Sequence, residues 1–284
     1  MNNISEILIA GGDMRQIYCA LSLSEKYDIS VTGFDEEYIP KNLKKADLNK
    51  KYDCIVLPVP ALDGKGLVSS PCFSGEIYLN DIKNMLKENG IIFAGRADEN
   101  TKKFFNNHEF YDYTEYEELS LKNAVPTAEG AVKIALEELP VTLNSLKILI
   151  VGMGRIGTAL ANILKGFGAD VTAAVRNAKG SAKARISGIK SVCIKDMDSN
   201  YGLVFNTAPS LVFTKEILEK FSDDTLFIDL ASKPGGIDFD SAAELGKKVI
   251  WALGIPGKNA PATAGKIIAE TVISVLSERG AEYE

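Results

Sequence analysis

A short apolar run that passes directly into a glycine-spaced turn, and from there into a helix, constrains this chain more than any other feature. Residues 147–151, KILIV, are followed by Gly152, Met153, Gly154, Arg155, Ile156 and Gly157, and then by TALANILKGFG. The apolar run reads as a buried strand and the stretch after it as a helix. In a G-x-G-x-x-G turn between the two, the first glycine allows the tight turn. The second lets a pyrophosphate approach the backbone, and the third lets helix and strand pack closely. Backbone N–H groups at the helix start supply a positive pole for phosphate. Dinucleotide binding is therefore expected, centred on Gly152, Gly154, Arg155, Ile156 and Gly157. The alternative is a glycine-rich turn that serves packing alone.

The next strand bears on which nucleotide. GADVTAAVR follows at the spacing of a second strand and ends in Arg176, then Asn177. A site for NAD usually places Asp or Glu there, to accept from the ribose 2′-OH. A guanidinium cannot accept that bond, but it suits a 2′-phosphate and can stack on adenine. Lys179 and Lys183 add positive charge. NADP is expected over NAD, with NAD possible. The competing reading of Arg176 is a solvated charge at a strand end.

Ligands of open α/β sheets sit beyond the carboxyl ends of the strands. FNTAP puts Asn206, Thr207 and Pro209 at such an end, and IDLASKPGG puts Asp229, Ser232 and Lys233 at the next. Asn and Thr can hydrogen-bond ribose or carboxamide. Asp229 has a second, equally weighted reading as the cap of a backbone turn. GIPGKNAPATAG contributes a third loop, with Gly257, Lys258 and Thr263 ahead of the final helix.

Strand and helix patterns alternate along the whole chain. EILIAGG, ISVTGFD, CIVLPVPA and GIIFAGR read as strands of a first block, with a helix from Met14 to about Lys26, another near Asn80–Glu88, and HEFYDYTEY as a last strand. KILIVGMG, DVTAAVR, GLVFNTAP, TLFIDLAS and KVIWALG read as five strands of a second. Between the blocks, a linker helix is expected to start after Pro126, at Thr127, Glu129 and Gly130, and to end at Pro140. Such alternation implies βαβ units and parallel sheets. The expected fold is α/β, with two Rossmann-like doubly wound domains. Residues 1–122 form the substrate domain and 123–259 the nucleotide domain, and a helix over about 260–284 returns to the first. In that first block Gly11-Gly12-Asp13-Met14-Arg15-Gln16 lacks a third glycine. It reads as a substrate-facing turn, or as a plain strand-to-helix turn. Arg15 and Arg96 lie just past strand ends, where arginines bind carboxylates in a bidentate manner or simply face solvent.

Composition removes other chemistries. The chain has 284 residues, a formal charge of -6, four cysteines and one histidine. An acidic chain has no global basic footprint, which argues against nucleic acid as the main partner. One histidine cannot build a multi-histidine metal site, and Cys19, Cys54, Cys72 and Cys193 form no C-x-x-C pair. No metal is expected. His108 lies in NNHEFYDY and reads as a surface or strand-edge residue. The N-terminus has no basic region before its short apolar stretch, no run of about 18 apolar residues occurs, and the cysteines are scattered. A cytoplasmic protein with reduced thiols is expected.

Taken together, GGDMRQ, AVPTAEGA, ILIVGMGRIGTALA, FNTAP, IDLASKPGGIDF and WALGIPGKNAPATAGKII carry a resemblance. In this order they are similar to the A subunits of dipicolinate synthase, over nearly the whole chain. The resemblance implies oxidation of a dihydrodipicolinate-type intermediate, derived from 4-hydroxy-tetrahydrodipicolinate, to pyridine-2,6-dicarboxylate, with NADP as acceptor. It implies a B subunit resembling flavoprotein decarboxylases, a homo- or hetero-oligomer, and a mother-cell location during sporulation. Its fold is similar to those of 2-hydroxyacid and alanine dehydrogenases. A dianionic substrate calls for local cations, and Arg15, Arg96, Lys233 and Lys258 are candidates, with Asp13 in the same turn as Arg15. Lys233 is a candidate general base if desolvation and a neighbouring cation lower its pKa. Glu129 is another, its competing role being stabilisation of a helix first turn. Two other functions stay open: an NADP-dependent hydroxy-acid or amino-acid dehydrogenase, and a non-catalytic nucleotide-binding subunit.

Overall fold

The computed structural model describes residues 4–281. Along the chain the elements are β1 (Glu6–Ala10), α1 (Met14–Leu23), β2 (Asp28–Thr32), β3 (Lys44–Lys45), β4 (Tyr52–Val56), α2 (Leu79–Asn84), β5 (Leu86–Ala94), α3 (Glu99–Phe104) and β6 (Glu109–Asp112). The long α4 (Glu117–Glu138) follows. Then come β7 (Lys147–Val151), α5 (Arg155–Gly166), β8 (Asp170–Val175), α6 (Ala178–Ile186), β9 (Lys190–Cys193) and β10 (Leu203–Asn206). The chain continues through α7 (Lys215–Leu218), β11 (Leu226–Asp229), α8 (Phe239–Glu244), β12 (Lys248–Trp251), α9 (Ile255–Asn259) and α10 (Pro261–Ala281). Contacts divide them into two compact units: the residues up to Asn123 with those from Ala260 onward, and Ala124–Asn259.

In the first unit six strands pair in the order β3-β2-β1-β4-β5-β6, all parallel. Alternate residues of β1 face opposite layers. Ile7 and Ile9 pack with Ile17, Ala20 and Leu23 of α1 and with Ile268 and Val272 of α10, while Leu8 and Ala10 pack with Ile82 and Phe105. A sheet covered on both faces explains why its strands are continuous apolar runs rather than alternating ones. Gly265 lets α10 lie close along α1: a Cβ there would stand 2.3 Å from the Arg15 carbonyl oxygen and 2.9 Å from the Cys19 nitrogen.

The second unit repeats the scheme in the order β12-β11-β10-β7-β8-β9, again parallel. Ile148 and Ile150 meet α4 and α5 through Ala131, Ala135, Leu160 and Leu164. Leu149 and Val151 meet an aromatic cluster of Phe213, Phe221 and Phe227. In each sheet the strand order reverses beside the first strand of its unit, between β1 and β4 and between β7 and β10. These are the switch points where such sheets bind ligands.

Three local readings of the sequence are corrected. The linker helix starts at Glu117, not after Pro126, which lies inside α4. Leu119, Ala124 and Ala128 are buried along it, so packing holds the helix through a residue that usually breaks one. The helix expected near Asn80–Glu88 stops at Asn84, because Met85 is captured by the sheet: its carbonyl accepts the Tyr52 N–H at 2.8 Å. The loop expected at Gly257, Lys258 and Thr263 is helical, with the first two in α9 and Thr263 in the first turn of α10. Strands β3 and β9 are additions, both polar at the sheet edges. Among the described residues no helix is long and apolar enough to cross a membrane.

Candidate functional site

The glycine turn after β7 is built as three distinct devices. Gly152 has φ +94°, which glycine adopts without penalty, and a Cβ there would crowd Thr207 Oγ1 at 2.7 Å. Gly157 lets α5 approach the turn, since its Cβ would stand 2.0 Å from the Gly152 carbonyl oxygen. Gly154 is different: its backbone is extended (φ -79°, ψ -160°), and no heavy atom lies within 4 Å of the Cβ position. Neither packing nor backbone geometry requires glycine at 154. What remains is the approach of something from outside. Gly154 is also the N-cap of α5 and brings no side-chain acceptor to that helix's first turn. First-turn N–H groups need such an acceptor, and an anion can supply it.

Beside this turn lies a cavity of about 330 Å³. Gly152, Met153 and Gly154 form one wall, and Thr207, Ala208 and Pro209 another. Val175, Arg176, Asn177, Lys179, Gly180, Lys183 and Ile194 complete it, so the lining holds three cations and no Asp or Glu. Lys179 and Lys183 share one face of α6 at a four-residue spacing. None of the three cations is paired with a carboxylate among the described residues, although the chain carries a net charge of -6. Asn177 caps α6, its Oδ1 accepting from the Gly180 N–H at 3.0 Å. The Arg176 guanidinium donates to Ser210 Oγ. Arg155 and Ile156 occupy the first turn of α5, exposed and half-buried respectively.

The loops after β10 and β11 turn out to be braced from beneath. Asn206 and Asp229 are fully buried and bonded to each other, Asn206 Nδ2 donating to Asp229 Oδ1 at 2.8 Å. Asp229 also accepts from the Ala231 N–H at 2.9 Å and the Gly236 N–H at 2.8 Å. Asn206 Oδ1 accepts from the Ala208 N–H at 3.2 Å. Of the two readings of Asp229, the turn cap matches this geometry, and Asn206 shares that internal role. Thr207 Oγ1 donates to the carbonyls of Val151 and Gly152, at 2.9 and 3.2 Å, which ties its loop to the glycine turn. Ser232 and Lys233 are exposed on the loop that Asp229 shapes. Lys258 is exposed on α9, Gly257 is half-buried in it, and Glu129 is exposed on α4 rather than in a first turn.

In the first unit, Asp13 caps α1 and grips Arg15. It accepts the Arg15 backbone N–H at 2.9 Å and both Nε and Nη2 of the guanidinium, at 2.9 and 2.8 Å. Nη2 also donates to the Val59 carbonyl at 3.0 Å. Arg15 Nη1 makes no hydrogen bond among the described residues. Arg96 is exposed at the end of β5, with φ 52° and its N–H on Asp112 Oδ1 at 3.1 Å. The Gly11-Gly12 turn has its own N–H groups occupied, Gly11 on the Thr32 carbonyl and Gly12 on the Ser69 carbonyl at 2.7 Å. It is no second phosphate loop. His108 is partly buried against Phe105, its Nδ1 has no partner among the described residues, and burial, with Lys83 nearby, holds its pKa below the ordinary value.

Comparison with known proteins agrees with this anatomy. Residues 6–114 match the family described as the N-terminal domain of the dipicolinate synthase A subunit. Residues 126–232 match the NAD-binding domain of D-isomer specific 2-hydroxyacid dehydrogenases. The dipicolinate synthase A subunit of Bacillus subtilis (strain 168) is 29% identical, over 98% of this chain and 97% of its own length. This chain is a homologue of the dipicolinate synthase A subunits. The crystal structure of the Bacillus subtilis protein superposes with a TM-score of 0.87, covering 99% of each chain. That of the Bacillus halodurans protein, also 29% identical, gives 0.87 over 96% of this chain and 97% of its own. A transhydrogenase from Sinorhizobium meliloti, at 16% identity and a TM-score of 0.71, shares the fold. The second unit of the homologue is thus a dehydrogenase-type domain for a nicotinamide cofactor.

Proposed function

We propose that this homologue is the NADP-dependent oxidoreductase component of a dipicolinate synthase. It oxidises a dihydrodipicolinate-type intermediate, formed from 4-hydroxy-tetrahydrodipicolinate, to dipicolinate. The observation that carries the nucleotide assignment is the cavity at the ends of β7 and β8. Its glycine at 154 leaves room for a pyrophosphate, and Arg176, Lys179 and Lys183 face it without a carboxylate. A 2′-phosphate supplies the negative charge that such a lining lacks. Val175 and Ile194 offer apolar surface for adenine. Asn206 and Asp229 hold the neighbouring loops rather than the nucleotide itself.

NADP⁺, held by the first turn of α5 and by Arg176, would supply a hydride acceptor for the dihydropyridine ring. The protein's tasks are to hold the dianion and to receive the proton released on aromatisation, which supplies its own driving force. Arg15 is assigned to one carboxylate through its open Nη1 edge, with Asp13 orienting it. Arg96 and Lys258 are assigned as further cations. Lys233, exposed beside the loop that Asp229 shapes, is the first candidate for the proton, and Glu129 the second. The chain acts with a B subunit in a hetero-oligomer, in the mother cell during sporulation. Absorbance of dipicolinate and of NADPH, followed together with the chain alone and with its partner, tests this. Substrate-dependent formation of both in equal amounts is expected. Nucleotide binding without turnover, even with the partner present, overturns it in favour of a nucleotide-sensing role.

A further inference from the structure

The loop after β10 reaches three strand ends at once. Asn206 binds the end of β11 through Asp229, and Thr207 binds the end of β7 through the Val151 and Gly152 carbonyls. Ser210, four residues beyond the end of β10, reaches the end of β8, where its Oγ accepts from Arg176 Nη2. The first two anchors are partly or fully buried, so the Ser210 hydroxyl stands on fixed backbone. Arg176 does not. It is exposed, follows the last residue of β8, and has no carboxylate partner among the described residues; Ser210 is its one hydrogen-bond partner there. A long cationic side chain at a strand end samples many rotamers unless something holds it. Here a hydroxyl contributed from 34 residues further along the chain does so.

Hydroxyl chemistry adds a second consequence. A serine oxygen can accept one bond while its O–H donates another. With Arg176 donating to one lone pair of Oγ, the Ser210 O–H keeps no partner among the described residues, so the pair offers that O–H and the remaining guanidinium N–H groups as donors. Those donors suit a phosphate, which only accepts, while the cavity lining holds no carboxylate of the kind that usually receives a ribose 2′-OH.

We propose that Ser210 is a positioning residue that sets nucleotide preference, by holding Arg176 toward the 2′-phosphate. The inference rests on the reading of the cavity as an NADP site. Calorimetric Kd values for NADP⁺ and NAD⁺ on the full chain test it, with wild type, Ser210→Ala, Ser210→Thr, Arg176→Ala and the Ser210→Ala/Arg176→Ala double variant. Ser210→Ala is expected to weaken NADP⁺ about threefold to tenfold, the worth of one such hydrogen bond, while NAD⁺ stays within about twofold. Ser210→Thr, which keeps the hydroxyl, restores NADP⁺. In the Arg176→Ala background Ser210→Ala does nothing more. Equal losses for both nucleotides would show a loop-building role and overturn the inference. So would an unchanged NADP⁺ affinity in Ser210→Ala beside a weakened one in Arg176→Ala, which leaves the NADP site standing. If Arg176→Ala itself leaves the NADP⁺ to NAD⁺ ratio unchanged, the NADP reading falls and the role of Ser210 falls with it.

Discussion

Gly154→Val separates folding from nucleotide binding more cleanly than any other change in the second unit. The extended backbone at 154 is open to every residue type, and no heavy atom lies within 4 Å of the Cβ position. The cost to folding is therefore confined to the helix cap, about 1 kcal/mol, since valine caps less well than glycine. Binding suffers far more. A side chain at 154 keeps the pyrophosphate off the first turn of α5. Each hydrogen bond to a charged group is worth about 1.5–3 kcal/mol, so two lost bonds cost about 3–6 kcal/mol. That is about a hundredfold to ten-thousandfold in Kd. Gly157→Ala is the contrasting control. Its Cβ would stand 2.0 Å from the Gly152 carbonyl oxygen, so it disrupts the turn itself and lowers Tm. Calorimetric titration with NADP⁺, together with thermal unfolding of both variants, reads the two effects separately. A Gly154→Val chain with wild-type Tm and a Kd within about threefold of wild type would refute the argument that the room at 154 exists for a ligand.

Two further expectations concern the first unit. Gly265→Ala pushes a methyl to 2.3 Å from the Arg15 carbonyl oxygen, and backbone must shift to admit it; a loss of about 1–3 kcal/mol is expected. Calorimetry checks this, and an unchanged Tm would mean that α10 does not depend on that close approach to α1. His108 should leave a signature in the pH dependence of stability. Its folded pKa lies below 6.5, so as pH falls the unfolded chain takes up the proton first. The contribution is fully present above pH 6.5 and is lost as pH falls through the folded pKa. With one histidine in the chain, denaturant midpoints between about pH 7.5 and 5.5 isolate it. His108→Gln should flatten that slope, and parallel slopes in the two proteins would contradict the assignment.

The fold was legible in the sequence wherever a strand is buried on both faces. KILIV, EILIA and CIVLP announce themselves because parallel strands under two helical layers are apolar throughout. Strand β9, with the sequence KSVC, escaped because an edge strand needs little apolar surface, and with it went Ile194 as a wall of the cavity. Pro126 misled in the other direction: local chemistry marks a helix start, and tertiary packing overrides it. At the site, the glycines and Arg176 follow from the spacing of the motif. The buried pairing of Asn206 with Asp229 does not. These are 23 residues apart, and a polar side chain at a strand end reads the same whether it faces a ligand or braces a loop. Ser210 was invisible for a similar reason, since only the folded sheet brings it to Arg176.

In the proposed function, the cavity at the ends of β7 and β8 selects NADP through uncompensated positive charge. Calorimetric Kd values for NADP⁺ and NAD⁺, measured side by side on the wild-type chain and on Arg176→Asp, test it most directly. The wild-type chain is expected to bind NADP⁺ more tightly, and Arg176→Asp to reverse the preference by repelling the 2′-phosphate and accepting from the 2′-OH. Tighter binding of NAD⁺ by the wild-type chain, or the same ratio in both proteins, would contradict it.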